Sequence, residues 1–329
     1  MMILSIKGKI KKIIGMPFIT TDQEIEIALE KVKVVSFDIF DTLVKRNVSR
    51  PEDIHYLVQT QFYKQTGISI DGYSQIRINA EKVAREKICS EEVSLEEIFD
   101  FIHNISKEQK IILQNIEETM ELENCCPNLK MQRVYEKAVK DNKHIIITSD
   151  MYLSENIIYQ ILYKCGYSKF EKLYLSSSYK LCKSTGSIFE KIKEDYADYG
   201  GLILHIGDNV KSDFFIPRMR GINALLINGQ EKFLKYWKPT NKKIKDKFLY
   251  RSIVAFLNHH ITPECDNAER IGYEVLGPIL LGYCKWLHYM LNKNDISKIF
   301  FLSREGKILQ SAYNILYPQS KIEQCDLYV

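Results

Sequence analysis

Apolar residues along the first half of the chain change period repeatedly, and each change marks an element. Thr21 and Glu24 stand three apart ahead of Ile25 and Leu29, the spacing of a capping box that opens an amphipathic helix over about 22–31. "VKVVSF" follows, short, β-branched and apolar on both faces, as a strand buried in a parallel sheet reads. The same character returns in "HIIIT" (144–148), "KLYLSS" (172–177) and "GLILHIG" (201–207), with helical periodicity near 154–165 and 187–196 between them. Strands alternating with helices predict an α/β fold, a doubly wound, Rossmann-like parallel sheet.

Two stretches break the alternation. Between 46 and 140 the pattern is helical, charged and poor in strands, as in "SQIRINAEKVAREKI" and "KEQKIILQNIEETMELE". Four or so helices inserted after the first strand make a small bundle; ligands of doubly wound folds bind beyond the carboxyl ends of the strands, so the bundle is expected to cap the site as a lid. From about 231 the composition shifts to the basic connector "KYWKPTNKKIKDK", then to "RSIVAFLNHH", the apolar "IGYEVLGPILLGYCKWLHYML", a strand-like "KIFFLS", the turn "SREG" and a helix. The final "CDLYV" reads as the start of another strand, and the expectation is a fragment or an unfinished second α/β unit. The expected division is a basic amphipathic segment (1–21), an α/β core (22–45 and 141–230), a helical cap (46–140) and a C-terminal α/β extension (231–329).

Composition narrows the function classes. A chain of 329 residues with 46 basic and 42 acidic side chains carries a formal charge of +4, too mild to call for nucleic acid. None of the eight cysteines forms a CxxC pair, so a zinc site is not expected; without a signal peptide, free thiols in a reducing cytoplasm are the better reading. No apolar run reaches the ~18 residues that cross a bilayer. In "MMILSIKGKIKKIIG" Ile3, Ile6, Ile10, Ile13 and Ile14 share one helical stripe flanked by four lysines, a pattern that can rest on the inner face of an anionic membrane. Gly8 in its middle costs about 1 kcal/mol and favours a short packed helix or a frayed terminus instead.

The chemistry gathers at the predicted strand ends. The first strand ends in Asp38, the second in Thr148 and Ser149; Lys183 follows the third in "CKSTG", and the fourth runs into "GDNVKSD" with Asp208 and Asp213. Carboxylates brought to one sheet edge repel, by about 4 kcal/mol for a pair about 4 Å apart at an effective dielectric near 20. A cation must therefore sit there, and oxygen-only ligands suit magnesium. Such a site holds phosphate between metal, lysine and hydroxyl and leaves one carboxylate free to attack phosphorus.

These four segments, in this order, resemble the haloacid dehalogenase (HAD) superfamily, most of whose members are magnesium-dependent phosphatases and phosphotransferases. "FDIFDTL" is similar to its first motif with Asp38 as nucleophile, "IIITSDMY" to its second at Ser149, "KSTGSIF" to its third at Lys183, and "GDNVKSD" to its fourth. The resemblance covers roughly residues 30 to 230 and implies magnesium held by Asp38, the Phe40 main-chain carbonyl, Asp208 and Asp213, the last as ligand or as support. Thr148 stays an alternative to Ser149 as the phosphate-binding hydroxyl.

One position departs from the family pattern. Two residues after the nucleophile, where a second aspartate usually protonates the leaving group, this chain has Phe40, and Asp41 is out of phase by one. Asp41 is then a candidate acid/base only if it swings in; otherwise the leaving group needs no proton or turnover is slow. Dehalogenases of the superfamily also lack that aspartate but need no magnesium, which Asp208 and Asp213 argue for here.

Together with "TSDMYLS" and "FFLSREG", the pattern resembles a bacterial subgroup associated with glycosyltransferases and surface-polysaccharide synthesis. The expected activity is phosphohydrolysis of a phosphorylated sugar or related metabolite through an aspartyl-phosphate. The alternatives are a phosphotransferase of the same mechanism and a weakly active or inactive binding module in a glycan-assembly complex. The histidines, including His259 and His260, show no metal spacing and read as structural, and "SREG" reads as a simple strand-to-helix turn rather than an anion site.

Overall fold

A computed structural model describes residues 19–229, 247–261 and 265–328. The amphipathic segment at the N-terminus and most of the basic connector lie outside these residues. The chain divides into two compact units, one of residues 1–231 with 248–255, the other of 232–247 with 256–329.

The first unit begins with α1 (Asp22–Glu30), closed at its start by the reciprocal Thr21–Glu24 capping box. It leads into β1 (Val34–Phe37), whose four residues are all buried. The short β2 (Val44–Arg46) opens the helical insert: α2 (Ile54–Thr66), α3 (Tyr73–Lys87), α4 (Leu95–Asp100) and α5 (Lys107–Asn124). β3 (Cys125–Pro127) closes it by pairing antiparallel with β2, Val44 opposite Pro127 and Arg46 opposite Cys125. Next come α6 (Leu129–Lys140), β4 (His144–Ser149), α7 (Glu155–Lys164), β5 (Lys172–Leu175), the single turn α8 (Ser176–Tyr179), α9 (Ser187–Asp195) and β6 (Ile203–Gly207). A widened helical turn (Val210–Phe215), α10 (Ile216–Met219) and β7 (Asn223–Leu226) complete the unit's sheet.

That sheet is five-stranded in the order β5-β4-β1-β6-β7, every pair parallel, with β1 at the centre. It is the doubly wound α/β architecture expected from the alternation. One face, through Val35, Phe37, Ile147 and Ile206, shares a core with α1, α6, α7 and the insert. The other, through Val34, Ile146, Tyr174 and Ile203, packs on Ile188, Phe189 and Ile192 of α9. Burial on both faces is why these strands read as continuous apolar runs.

The structure departs from the sequence expectation at α6 and β7, as it does in pairing β2 with β3. Residues 129–140, grouped there with the helical cap, form α6, which packs on the sheet: Tyr135 meets Phe37 edge-on, ring centroids 6.1 Å apart. Amphipathic periodicity shows that a helix has a buried face, not which core receives it. β7 was not anticipated, because four residues beginning with an exposed Asn on an edge strand carry little β signal.

α11 (Lys247–His260) falls to the first unit over residues 248–255, and in the second unit come α12 (Asn267–Ile271), a widened turn at Gly272–Leu276 and α13 (Gly277–Lys293). β8 (Lys298–Leu302), α14 (Gly306–Leu316) and β9 (Glu323–Leu327) follow, the two strands paired in parallel from Lys298–Glu323 to Leu302–Leu327. "SREG" there is the turn between β8 and α14, and Cys325, Asp326 and Leu327 end β9. No helix among the described residues is long and apolar enough to cross a membrane.

Candidate active site

Three central strands end side by side. Phe37 pairs with Ile147 of β4 and with Ile206 of β6, so the residues that follow, Asp38, Thr148 and Gly207, emerge at one level of the sheet. The Asp38 amide donates to the Ile206 carbonyl at 2.9 Å, which pins the nucleophile candidate to β6. Beyond it the chain turns tightly: the Asp41 amide donates to the Val44 carbonyl and the Val44 amide to the Ile39 carbonyl, both at 2.8 Å. Asp41 takes the left-handed conformation, φ 57°, which short polar side chains tolerate best after glycine. Thr42 is wholly buried, and its carbonyl accepts from the Asn128 side chain at 2.8 Å.

Lys183 arrives from the segment between α8 and α9, 145 residues from Asp38 in sequence. Its ammonium lies 2.6 Å from Asp38 Oδ1 and 2.7 Å from Asp213 Oδ1, with all three side chains buried. Asp38, Asp208 and Asp213 each offer a carboxylate oxygen, these oxygens lying within 4.8 Å of one another. Gly207 makes the approach of Asp213 feasible: a Cβ there would stand 2.5 Å from the Asp213 carboxyl carbon.

Electrostatics follow from this crowding. Burial, with the nearby Asp213, pushes the Asp38 carboxyl up to about 7 against the pull of Lys183. Burial and repulsion from Asp38, Asp41 and Asp213 push Asp208 up to about 8. Asp213 is held well below the carboxylate range, since Lys183 and His205 outweigh its desolvation. Lys183 is held above its ordinary value by Asp213 and Asp38 despite burial, so it is a fixed cation. With all three carboxyls ionised, they exceed the one ammonium by two negative charges. A divalent ion cancels the excess, and an all-oxygen donor set fits magnesium.

The groups border a cavity of about 340 Å³ whose lining includes Asp38, Phe40, Ser149, Asp150, Lys183 and Asp208. The size suits a small ligand. Ser149 is buried at this wall, whereas the Thr148 hydroxyl lies 2.8 Å from Ser36 Oγ inside the sheet's other face. Asp41 is not part of the lining; its charge bears on Asp208 instead.

Three residues escaped the sequence reading. Asp150 borders the cavity, and its Oδ1 accepts from the Lys183 main-chain N–H at 2.8 Å. The available signal was its place at a strand end beside Ser149. Ser36 and His205 are buried beneath the site; the signal was a polar residue at matching positions of adjacent strands, since Ser36 pairs with His205 in register. The side chains of His259 and His260 lie outside the described residues.

No protein-family model matches the chain, and no curated protein does. Solved structures do. The HAD hydrolase YfnB from Bacillus subtilis, bound to magnesium, is 14% identical over 58% of this chain and 86% of its own, with a TM-score of 0.43. A 2-haloacid dehalogenase from Pseudomonas syringae pv. Tomato is 13% identical over 65% and 92%, TM-score 0.47. A HAD-family enzyme from Bacteroides thetaiotaomicron, in complex with magnesium and inorganic phosphate, is 15% identical over 61% and 96%, TM-score 0.40.

Proposed function

We propose that this protein is a magnesium-dependent phosphohydrolase of HAD type acting on a small phosphorylated metabolite, a sugar phosphate being the favoured class. The observation that carries the reading is Lys183, buried between Asp38 and Asp213 at the carboxyl edge of a parallel sheet, with Asp208 alongside. A carboxylate nucleophile, a fixed cation and further carboxylates for a metal are the parts that phosphoryl transfer through an aspartyl-phosphate needs.

Asp38 attacks phosphorus: an Asp38 oxygen–phosphorus bond forms as the ester's phosphorus–oxygen bond breaks, and the leaving alkoxide takes a proton. Water then attacks the same phosphorus and frees Asp38 with release of inorganic phosphate. Lys183 and Ser149 hold the phosphoryl oxygens, and Asp38 with Asp208 and the Phe40 carbonyl would hold magnesium, which when bound offsets charge developing on those oxygens. Asp213 carries its negative charge to Lys183. Phe40 cannot protonate the leaving group, and Asp150, the carboxyl group in the cavity wall beyond the metal-binding acids, takes that role in this reading. The helical insert serves as cap, and the resemblance to polysaccharide-associated hydrolases points to glycan precursors and to glycosyltransferases as associates.

A panel of sugar phosphates assayed for released phosphate with and without magnesium tests this. Turnover should require the metal and disappear in Asp38→Asn. Equal activity of Asp38→Asn and wild type would remove the enzymatic reading; transfer to an added alcohol in place of water would make the protein a phosphotransferase.

A further inference from the structure

The face of the sheet beneath the site contains a line of polar side chains where its neighbours are aliphatic. Thr148, Ser36 and His205 are each at most 1% exposed, among Val34, Ile146, Ile203 and the α9 residues Ile188 and Phe189. Thr148 Oγ1 lies 2.8 Å from Ser36 Oγ, which lies 2.8 Å from His205 Nδ1. His205 Nε2 lies 3.2 Å from Asp213 Oδ1, the oxygen that also receives Lys183. Asp213 Oδ2 takes the Asn209 main-chain N–H at 2.9 Å, so this carboxylate has three donors around it.

Donor accounting gives the line a direction. An ionised carboxylate only accepts, so His205 Nε2 carries a hydrogen toward Asp213. Nδ1 faces the Ser36 hydroxyl at 2.8 Å, a group able to donate, and is assigned as the acceptor. The Ser36 hydroxyl then donates to Nδ1 and in turn accepts from Thr148. Phe189 packs edge-on against the imidazole, ring centroids 5.1 Å apart, and restrains its plane. A core position that needed only volume would be cheaper with an aliphatic side chain, because every buried polar group must be satisfied.

We propose that His205 is a positioning residue for the phosphoryl-transfer site: locked by Ser36 in the tautomer with hydrogen on Nε2, it orients Asp213, and through Asp213 sets where the Lys183 ammonium stands relative to Asp38. This rests on the functional reading above and deepens it. Donors behind a charged group are worth about 10- to 100-fold when removed from comparable sites. The Asp213 carboxylate, freed from His205, is able to rotate about its own bond, and Lys183 follows it away from the nucleophile.

Two conservative designs separate positioning from packing. His205→Phe keeps a ring against Phe189 and loses both hydrogen bonds; His205→Gln keeps an N–H donor within reach of Asp213. Calorimetric binding of inorganic phosphate to the magnesium-loaded protein, and kcat against KM on an active phosphate ester, should weaken about 10- to 100-fold in His205→Phe, the loss falling on kcat, and recover largely in His205→Gln. The nuclear magnetic resonance signal of the buried Lys183 ammonium should lose its protection from solvent exchange in His205→Phe and regain it in His205→Gln. Wild-type ring nitrogens should report the Nε2–H tautomer, and Ser36→Ala should mix the two tautomers; that comparison decides the matter if His205→Phe does not fold. A folded His205→Phe with wild-type phosphate affinity and an unchanged Lys183 signal overturns the proposal, as does a His205→Gln no better than His205→Phe, or an Nδ1–H tautomer in wild type. If wild type turns over no ester, the phosphohydrolase reading fails, while the Lys183 and tautomer signals still judge the role of His205.

Discussion

The guanidinium of Arg46 lies over the ring of Phe40, its central carbon 3.7 Å from the ring centroid. Phe40, which borders the cavity, is thus held by a cation from the strand that opens the helical insert. Arg46 also donates from Nε to Glu121 Oε2 of α5 at 2.8 Å, and Glu121 is 1% exposed with its other oxygen unpartnered. The path Phe40–Arg46–Glu121 ties the loop after Asp38 to the insert by a ring contact and a buried ion pair.

Breaking that path from one side leaves a buried charge alone. Arg46→Met should destabilise the protein by about 3–5 kcal/mol, because Glu121 loses its ion-pair partner among the described residues. The double variant Arg46→Met with Glu121→Leu should recover most of that, since neither charge is then buried unpaired. Urea unfolding followed by circular dichroism measures both; equal stability of the single variant and wild type would contradict a buried pair.

The two candidate acids separate by leaving group. Asp150→Asn should slow hydrolysis of an alkyl phosphate about 10²- to 10⁴-fold, and much less that of a p-nitrophenyl ester, whose anion leaves without a proton. Asp41→Asn, tolerable at φ 57°, should cost less than about tenfold on either substrate. Steady-state kinetics on the two ester types read the difference, and a larger loss in Asp41→Asn would return the acid role to that residue.

Charge balance at the site gives a metal prediction. Lys183→Met removes the cation between two buried carboxylates and should lower the melting temperature in the absence of metal. Added magnesium should raise that temperature by more in Lys183→Met than in wild type, because the uncompensated charge it meets is greater. Asp208→Asn should shrink the magnesium increment. Thermal unfolding with and without the ion, chelator present in the latter, checks all three.

His55 gives stability a pH dependence of known sign. Buried in α2 near the Arg77 guanidinium, it is pushed down to about 3 from an ordinary value near 6.5, first by desolvation and then by Arg77. The unfolded chain therefore takes up a proton at His55 below about pH 6.5 that the folded chain refuses until about pH 3. Stability falls as pH falls through that window, by at most about 1.4 kcal/mol per unit from this group. His55→Leu should flatten the slope by about that amount in denaturant titrations between pH 6.5 and 4.

Local pattern carried much of this protein. Two-sided burial makes β1, β4, β5 and β6 read as apolar runs, and Asp38, Ser149 and Asp208 stand at or just after such runs, so these borders of the cavity were legible as strand-end positions, while Lys183 lies eight residues beyond β5. The capping box at Thr21 was equally legible, because its partners are three residues apart. What the tertiary structure decided lies across long separations. α6 has the same amphipathic pattern whether it joins the insert or the sheet, and only its contact with Phe37 chooses. Thr148 and Ser149 differ by one position, and the pleat sends one hydroxyl to Ser36 and the other to the cavity wall. The pairing of Lys183 with Asp38, the reach of His205 to Asp213 and the stacking of Arg46 on Phe40 depend on which side chains meet in space, a relation no periodicity encodes.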